Sequence, residues 1–277
     1  MEPTTRVGNR LLAALPAADF DLLAPYLRKV SSERDVVLLR SGDQVEQIYF
    51  PLSGTIAFIM DMPNGQTVAT ALVGNEGAVG ILSALGPTRS PITAVVRVAG
   101  TSLQISPARF QAALSRSGAI RDAVQIYTRV LLAQLQHVAA CNALHSVEAR
   151  LARWLLHIHD RVDGDFLPLT QEALAELLGV RRTTVTHVVQ KLRKSHAIRS
   201  NQRGLIEIDR PRLEAAACEC YEVMRRRIDS IVSPEGMEPR IPPVHKIVRA
   251  PDPLLAKVDV AQRHPRTHGT SPRPRGH

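Results

Sequence analysis

Aromatic side chains make up only 4% of this 277-residue chain, with a single tryptophan. Its cores must therefore be built from Leu, Val, Ile and Ala. Cysteine is nearly as scarce: Cys141, Cys218 and Cys220 supply neither an even disulfide set nor a four-thiolate cluster. No stretch approaches the ~20 apolar residues that span a bilayer. The first twenty residues carry Glu2 and no apolar run of signal-peptide length, so a cytoplasmic protein without a membrane partner is expected. No Gly-rich phosphate loop, His-Glu zinc motif or nucleophile elbow is present, and no acid–base pair stands out. Neither an enzyme nor a bound cofactor is expected. Acid is also short, and the net charge of +9 favours an anionic partner such as nucleic acid.

Acid is missing above all where it matters most. Residues 169–192 read LTQEALAELLGVRRTTVTHVVQKL. Thr170 can cap a helix with Leu174, Leu177 and Leu178 inward, Gly179 ends it, and a second helix carries Val185, Val188 or Val189, and Leu192 inward. Two short helices across a Gly-containing turn form a helix-turn-helix, whose second helix enters the DNA major groove. The opposite face of that helix offers Arg182, Thr183, Thr186, His187 and Gln190, all able to hydrogen-bond base edges. Thr170, Gln171, Arg181, Thr184, Lys191, Arg199 and Arg203 complete the expected DNA-binding set. The alternative is a helical hairpin in an ordinary core. One-sign clustering of Arg181, Arg182, Lys191, Arg193, Lys194, Arg199 and Arg203 speaks against it, with only Glu172 and Glu176 nearby.

An α+β chain of four regions is expected. Residues 1–115 begin with short helices divided by Pro16 and Pro25. Strand-like runs follow: Val36–Leu39, Ile48–Phe50, Ile56–Met60, Val68–Val73 and two within Ala94–Ser106 broken at Gly100. Asn64-Gly65 reads as a hairpin turn with both residues at positive φ. The helix in 116–144 places Ile120, Val124, Tyr127, Leu131, Gln134, Val138 and Cys141 at alternating steps of four and three, the spacing of a coiled-coil seam. This predicts a dimer helix, with Ile126, Val130, Ala133 and Ala140 turned back on the β domain; an ordinary buried helix is the alternative. Region 145–232 holds a helix over His145–Val162, the helix-turn-helix, two strands in Ala197–Asp209 that make a wing, and a last helix over Pro211–Ile231. Residues 233–277 contain nine of the 19 prolines and few apolar residues, the composition of a disordered basic tail.

This order of elements, with the run from Thr170 to Thr186, resembles the Crp/Fnr family of bacterial transcription factors over roughly residues 10–231. Gly54, Asn64-Gly65, Gly80 and the segment Ser90–Val96 carry the weaker match of the β domain. The resemblance implies a double-stranded β-roll that senses an effector, a homodimer reading a palindromic double-stranded DNA site, and RNA polymerase as a further partner. Cyclic-nucleotide-binding members hold the ribose with a Gly-Glu pair and the phosphate with an Arg. Here the matching positions are Gly80-Ile81 and Ile92-Thr93, and isoleucine can neither accept a hydroxyl nor neutralise a phosphate. The expected effector pocket is Gly80, Ile81, Arg89, Ile92 and Thr93, with Arg89 the one residue that could restore a charge. The effector is expected not to be a cyclic nucleotide. A nucleotide-responsive regulator and a protein-docking module with incidental DNA binding stay open as alternatives. The family's iron–sulfur sensors use an N-terminal cysteine group, and its haem sensors use His or Cys in the β domain. No Cys or His precedes His137. At the start of the recognition helix Arg182 keeps a guanine-reading position, while Thr183 replaces an acid that reads cytosine. His157 and His159, and likewise Cys218 and Cys220, lie two apart on expected helices and so point to different faces, a poor arrangement for a metal. Cys141 is expected as a buried thiol on the seam.

Overall fold

The structure, a computed structural model, describes residues 8–86, 89–200 and 204–229. Residues 201–203, Arg203 among them, and residues 233–277, expected as a basic tail, lie outside them.

The chain opens with short helices, α1 (Arg10–Ala13) and α2 (Ala17–Phe20), then a 3₁₀ turn at Ala24–Tyr26. Seven strands follow: β1 (Arg28–Ser32), β2 (Val37–Leu39), β3 (Ile48–Pro51), β4 (Thr55–Asp61), β5 (Thr67–Val73), β6 (Thr93–Val98) and β7 (Gly100–Ile105). They form two antiparallel sheets, β1-β7-β3 and β2-β6-β4-β5, a roll in which only β1 was not anticipated from the sequence. Between β4 and β5 the turn is longer than the Asn-Gly pair suggests. Met62 N donates to Gln66 O (2.8 Å), only Gly65 takes positive φ (79°), and the Asn64 side chain accepts from Gln66 N (3.0 Å). Asn64 shapes this loop by capping it, not by adopting a left-handed backbone.

Alternation along β4 sorts side chains onto two faces. Ile56 and Phe58 enter the roll's own core with Ile48, Phe50, Ala71 and Ile105, whereas Ala57 and Ile59 face outward. That outer face is not left to solvent. Ala57, Ile59, Ala69, Leu72 and Val95 continue into the core built by Leu151, Trp154, Leu155, Leu174 and Leu177 further along the chain.

After α3 (Pro107–Arg116) comes α4 (Gly118–Leu144), started by the Ser117 side chain accepting from Ile120 N (3.0 Å). Then follow α5 (Val147–His159), β8 (Phe166–Pro168), α6 (Gln171–Leu178), α7 (Arg182–Lys194), β9 (Ile198–Ser200), β10 (Leu205–Ile208), α8 (Arg210–Ala216) and α9 (Cys220–Asp229). β9 and β10 pair antiparallel as the expected wing, joined by β8 as a third strand. The single last helix of the sequence reading is instead two. Ala217 is extended (φ −78°, ψ 156°), and the chain turns before α9 begins at Cys220.

The expected dimer seam is corrected by the packing. Ile120, Val124, Tyr127, Leu131, Gln134, Val138 and Cys141 are all buried within the single chain. The Tyr127 hydroxyl donates to Ala78 O (2.8 Å), and the Gln134 amide reaches Leu72 O (3.4 Å). Of the face assigned to the β domain, Ile126 and Val130 do pack at the border of the roll's core, whereas Ala133 is only half-buried and Ala140 is exposed. Periodicity identified the apolar stripe correctly, but a stripe does not say which partner covers it. The solvent-facing stripe holds Gln125, Arg129, Leu132, Gln136, Ala139 and Ala143.

Candidate DNA-binding interface

Thr170 begins the helix-turn-helix as anticipated: its side chain accepts from Ala173 N (3.1 Å). Gly179 closes α6 in the left-handed conformation (φ 65°) and passes Val180 N back to Ala175 O (3.2 Å). Val185, Val188, Val189 and Leu192 fix α7 on Leu174, Leu177 and Leu178. The rotation this imposes leaves Arg181, Arg182, Thr183, His187 and Gln190 exposed on one side, with Thr184 and Thr186 half-buried.

The start of this face is organised before any ligand arrives. The Gln171 carbonyl oxygen accepts from Thr186 Oγ1 (3.2 Å) and, at 3.5 Å, faces Arg182 Nε. Gln171 therefore orients the guanidinium that the sequence nominated for guanine. Lys191 pairs with Glu148 (3.4 Å) and Arg199 with Glu207 (3.5 Å), both at exposed positions where water competes for the partners. Arg193 and Lys194 extend the basic border of α7, and the wing supplies Arg199. Arg203 falls outside the described residues.

The β-roll also meets this unit directly, through contacts between segments far apart in the chain. Arg97 on β6, almost fully buried, is ion-paired with Glu176 on α6 and with Asp35 (3.2 Å). Arg34 donates to Pro168 O (3.1 Å). On the far side Arg161, after α5, holds Glu76 through two bonds of 2.7 and 2.9 Å. A cleft of about 360 Å³ between the β4–β5 turn and the helix-turn-helix is lined by Gly65, Gln66, Glu176, Arg181 and Arg182 among others. A Cβ at Gly179 would lie 2.9 Å from Val68 Cγ2. Gly179→Ala is expected to cost about 1–2 kcal/mol for the left-handed backbone, with a steric share on top. Adding Val68→Ala should recover only that share, which denaturant midpoints of the two variants will separate.

The expected effector pocket is brought together only in part. Gly80, Ile81 and Ile92 line a cavity of about 50 Å³ with Leu39, Val45, Phe58 and Leu131 of α4. Its serine hydroxyls are already used: Ser83 donates to Gly80 O and Ser90 to Ile92 O, both at 2.6 Å. Arg89 and Thr93 are not in the lining, which corrects that part of the expected set. Arg89 donates to Gly42 O (2.8 Å), and Thr93 donates to Asp61 (2.6 Å). Both side chains hold the strand ends because the bridge between Gln44 and Arg89 draws this segment onto the neighbouring loop. Pockets that take drug-sized ligands run to roughly 300–1,000 Å³.

Sequence comparison matches residues 149–216 to the Crp-like helix-turn-helix domain and residues 29–117 to the cyclic nucleotide-binding domain. The two lie in the order of the roll and the winged unit just described. The chain belongs to the Crp/Fnr family. It is a Crp/Fnr-type transcription regulator with a DNA-binding helix-turn-helix. Comparison with curated protein sequences returns no match. Among solved structures, a putative Crp/Fnr transcriptional regulator from Eubacterium rectale ATCC 33656 is 15% identical with a TM-score of 0.61, covering 74% of this chain and 96% of that one. FixK2 from Bradyrhizobium japonicum is 15% identical (TM-score 0.59; 69% and 98% covered). The c-di-GMP-responsive regulator CLP of Xanthomonas campestris is 20% identical (TM-score 0.57; 70% and 99% covered). At these identities the likeness is one of fold. No helix among the described residues is long and apolar enough to cross a membrane.

Two further groups in this Crp/Fnr chain bear on metal chemistry. His157 is buried with its ring tilted against that of Tyr221 (centroids 5.2 Å apart), and burial together with the Arg161 and Arg153 charges holds its pKa well below the ordinary imidazole value. His159 faces Asp165 (3.0 Å) and Arg210 (3.0 Å). The cysteines are arranged differently from the sequence expectation. Cys218 precedes α9 and Cys220 opens it, so the two-residue spacing does not send them to opposite faces of one helix. Both thiols meet Cys141 and His145 at the end of α4. Only the break at Ala217 makes this possible, and no Gly or Pro marks it in the sequence.

Proposed function

We propose that this regulator binds a two-fold symmetric DNA site as a homodimer in the cytoplasm, acts on RNA polymerase at its promoters, and answers to something other than a cyclic nucleotide. The observation that carries the DNA part is the exposed, acid-free face of α7, with Arg182 oriented by Gln171. A two-fold site follows from geometry, because one recognition helix reads one half-site and a dimer presents two about one helical turn apart. The outer stripe of α4 around Leu132, which is 55% exposed, is the surface for the second copy. Against a cyclic nucleotide stand the size of the cavity beneath Gly80 and the two isoleucines at the ribose and phosphate positions. A buried phosphate there would lack a counter-charge.

DNA-site selection with the full-length protein, run with and without cyclic AMP at fixed salt, tests this reading. A palindrome recovered equally in both conditions is the expected result. Recovery only with cyclic AMP would overturn the effector part, and no enriched site would overturn the DNA part. In the selected site, Arg182→Ala should cost ~1–3 kcal/mol of discrimination at one guanine while leaving the other positions unchanged. Competition binding with single-base variants reads this directly. Unchanged preference in the variant would show that Arg182 does not face the bases.

A further inference from the structure

The end of α4 and the turn between α8 and α9 bring together the chain's entire cysteine content. The Sγ atoms of Cys141, Cys218 and Cys220 and a ring nitrogen of His145 all lie within 4.8 Å of one another. Cys141 Sγ is 3.6 Å from Cys218 Sγ, and Cys220 Sγ is 3.7 Å from His145 Nδ1. We infer that these four side chains form a closed tetrahedral site for one thiophilic divalent cation, Zn²⁺ by its donor set, which clamps the long helix to the DNA-binding domain.

The separations fit one ion. Bonds of ~2.3 Å to sulfur and ~2.0 Å to nitrogen at tetrahedral angles give S···S edges of about 3.8 Å and S···N edges of about 3.5 Å. Two of the observed contacts are already at those lengths, and the longest edge closes by about 1 Å on binding. An iron–sulfur cluster is ligated through separate irons, so its thiolates cannot crowd this closely. Three soft thiolates and one imidazole favour zinc over harder ions, and four protein donors leave no open position, the pattern of a structural site.

Placement supports the same reading. Cys141 and His145 are one turn apart at the end of α4, on one face. The two other ligands arrive from a segment more than seventy residues on, carried there by the packing of α9 against α4. All three cysteines are buried, and this sulfur group is separate from both leucine-rich cores, with Ala149 the one hydrophobic side chain packed against it among the described residues. His145 Nε2 meets Glu219 Oε1 at 3.1 Å, which turns Nδ1 toward the sulfurs. A carboxylate behind a ligating imidazole fixes its tautomer and orientation in metal sites.

Charge supplies an independent observation. Arg153 is fully buried, yet its Nε and Nη2 have no hydrogen-bond partner. Its guanidinium contacts Met224 Sδ (3.8 Å) and stacks on Trp154 (4.3 Å), and no carboxylate among the described residues pairs with it. A buried cation without an anion is strongly unfavourable. A divalent ion with three thiolates and a neutral imidazole carries one net negative charge, and Arg153 lies one turn along α5 from Ala149, which packs on the sulfur group, and contacts Met224, one turn along α9 from Cys220. The metal centre is the missing counter-ion.

Elemental analysis of the full-length protein, purified without chelator, is expected to give about one zinc per chain with all three thiols unoxidised by mass spectrometry. Metal-free protein titrated with Co²⁺ should show thiolate-to-cobalt charge transfer and the intense visible bands of tetrahedral coordination, saturating at one equivalent and displaced by Zn²⁺. This needs no variant and decides the matter even if substituted chains fold poorly. Cys218→Ser and Cys220→Ser should each remove or shift those bands, and Glu219→Gln should weaken cobalt affinity by roughly 10–100-fold without changing their shape. Absence of bands in the unsubstituted protein would overturn the inference. So would iron with equimolar sulfide, or a disulfide between two of the cysteines. The site-selection experiment is read separately, so failure of the DNA reading and failure of the metal site are distinguishable.

Discussion

Replacing Arg161 with alanine is expected to destabilise the folded chain by about 3–5 kcal/mol, because it leaves Glu76 buried without its partner. Both side chains of this pair are under one-tenth exposed. Burial pushes the Glu76 carboxyl up, but the Arg161 charge and hydrogen bond, aided by the backbone N–H groups of Glu76 and Gly74, hold it below its ordinary value. A carboxyl lowered in the native state contributes stability above its unfolded pKa, and that contribution is lost as pH falls through the native value. In the wild type the pair therefore weakens only in acid, below the ordinary range of a glutamate carboxyl. In Arg161→Ala the sign reverses. Burial now raises the carboxyl, so the deficit is largest at neutral pH and shrinks on acidification. Guanidinium unfolding of both proteins at two pH values checks this. A shift under about 1 kcal/mol that does not vary with pH would show that the pair contributes no more than a surface bridge. Glu76→Gln, which keeps the shape and removes the charge, should cost less than Arg161→Ala.

Trp154→Ala is the second large effect, about 3–5 kcal/mol. The indole is fully buried in the core that carries α7 through Val185, Val188 and Leu192, and that also meets the outer face of the β-roll through Ala57, Ile59 and Leu72. Emptying that volume loosens both contacts at once. DNA binding should fall in step with stability and recover on cooling toward the temperature of maximum stability. Loss of binding in a variant of wild-type stability would instead place Trp154 in the interface. Trp154→Phe, which keeps most of the volume, should retain most of both properties.

How far these features could be read in the sequence depends on whether the deciding interaction is local. Thr170, Gly179 and the apolar positions of α6 and α7 act within a few residues of one another, so the helix-turn-helix was legible with its boundaries. The strands from β2 to β7 were legible through alternation and glycine turns. β1 was not, since Arg28-Lys29-Val30-Ser31-Ser32 is short and polar and becomes a strand only by pairing with β7. The apolar stripe of α4 was found and given to the wrong neighbour, because a period of side chains identifies a face but not what covers it. The residues expected to share an effector pocket separate for a similar reason: Gly80, Ile81 and Ile92 gather beneath α4, whereas Arg89 and Thr93 are held by partners far off in sequence. The sulfur group was invisible because Ala215-Ala216-Ala217 reads as continuous helix, and packing alone breaks it.

The pairing of β1 with β7 also orders the birth of the molecule. Arg28 finds its strand partner only at Gln104. At synthesis rates of roughly 5–20 residues per second, β1 waits about 4–15 s before β7 exists at all. During that interval β2 to β5 can pair only among themselves, and β4 with β5 is the one hairpin that can close locally. The roll is therefore completed from the β4–β5 edge of one sheet, and β6 and β7 then bring in the strands made earlier. It is sealed by the strand made last, just ahead of the helices that cover it.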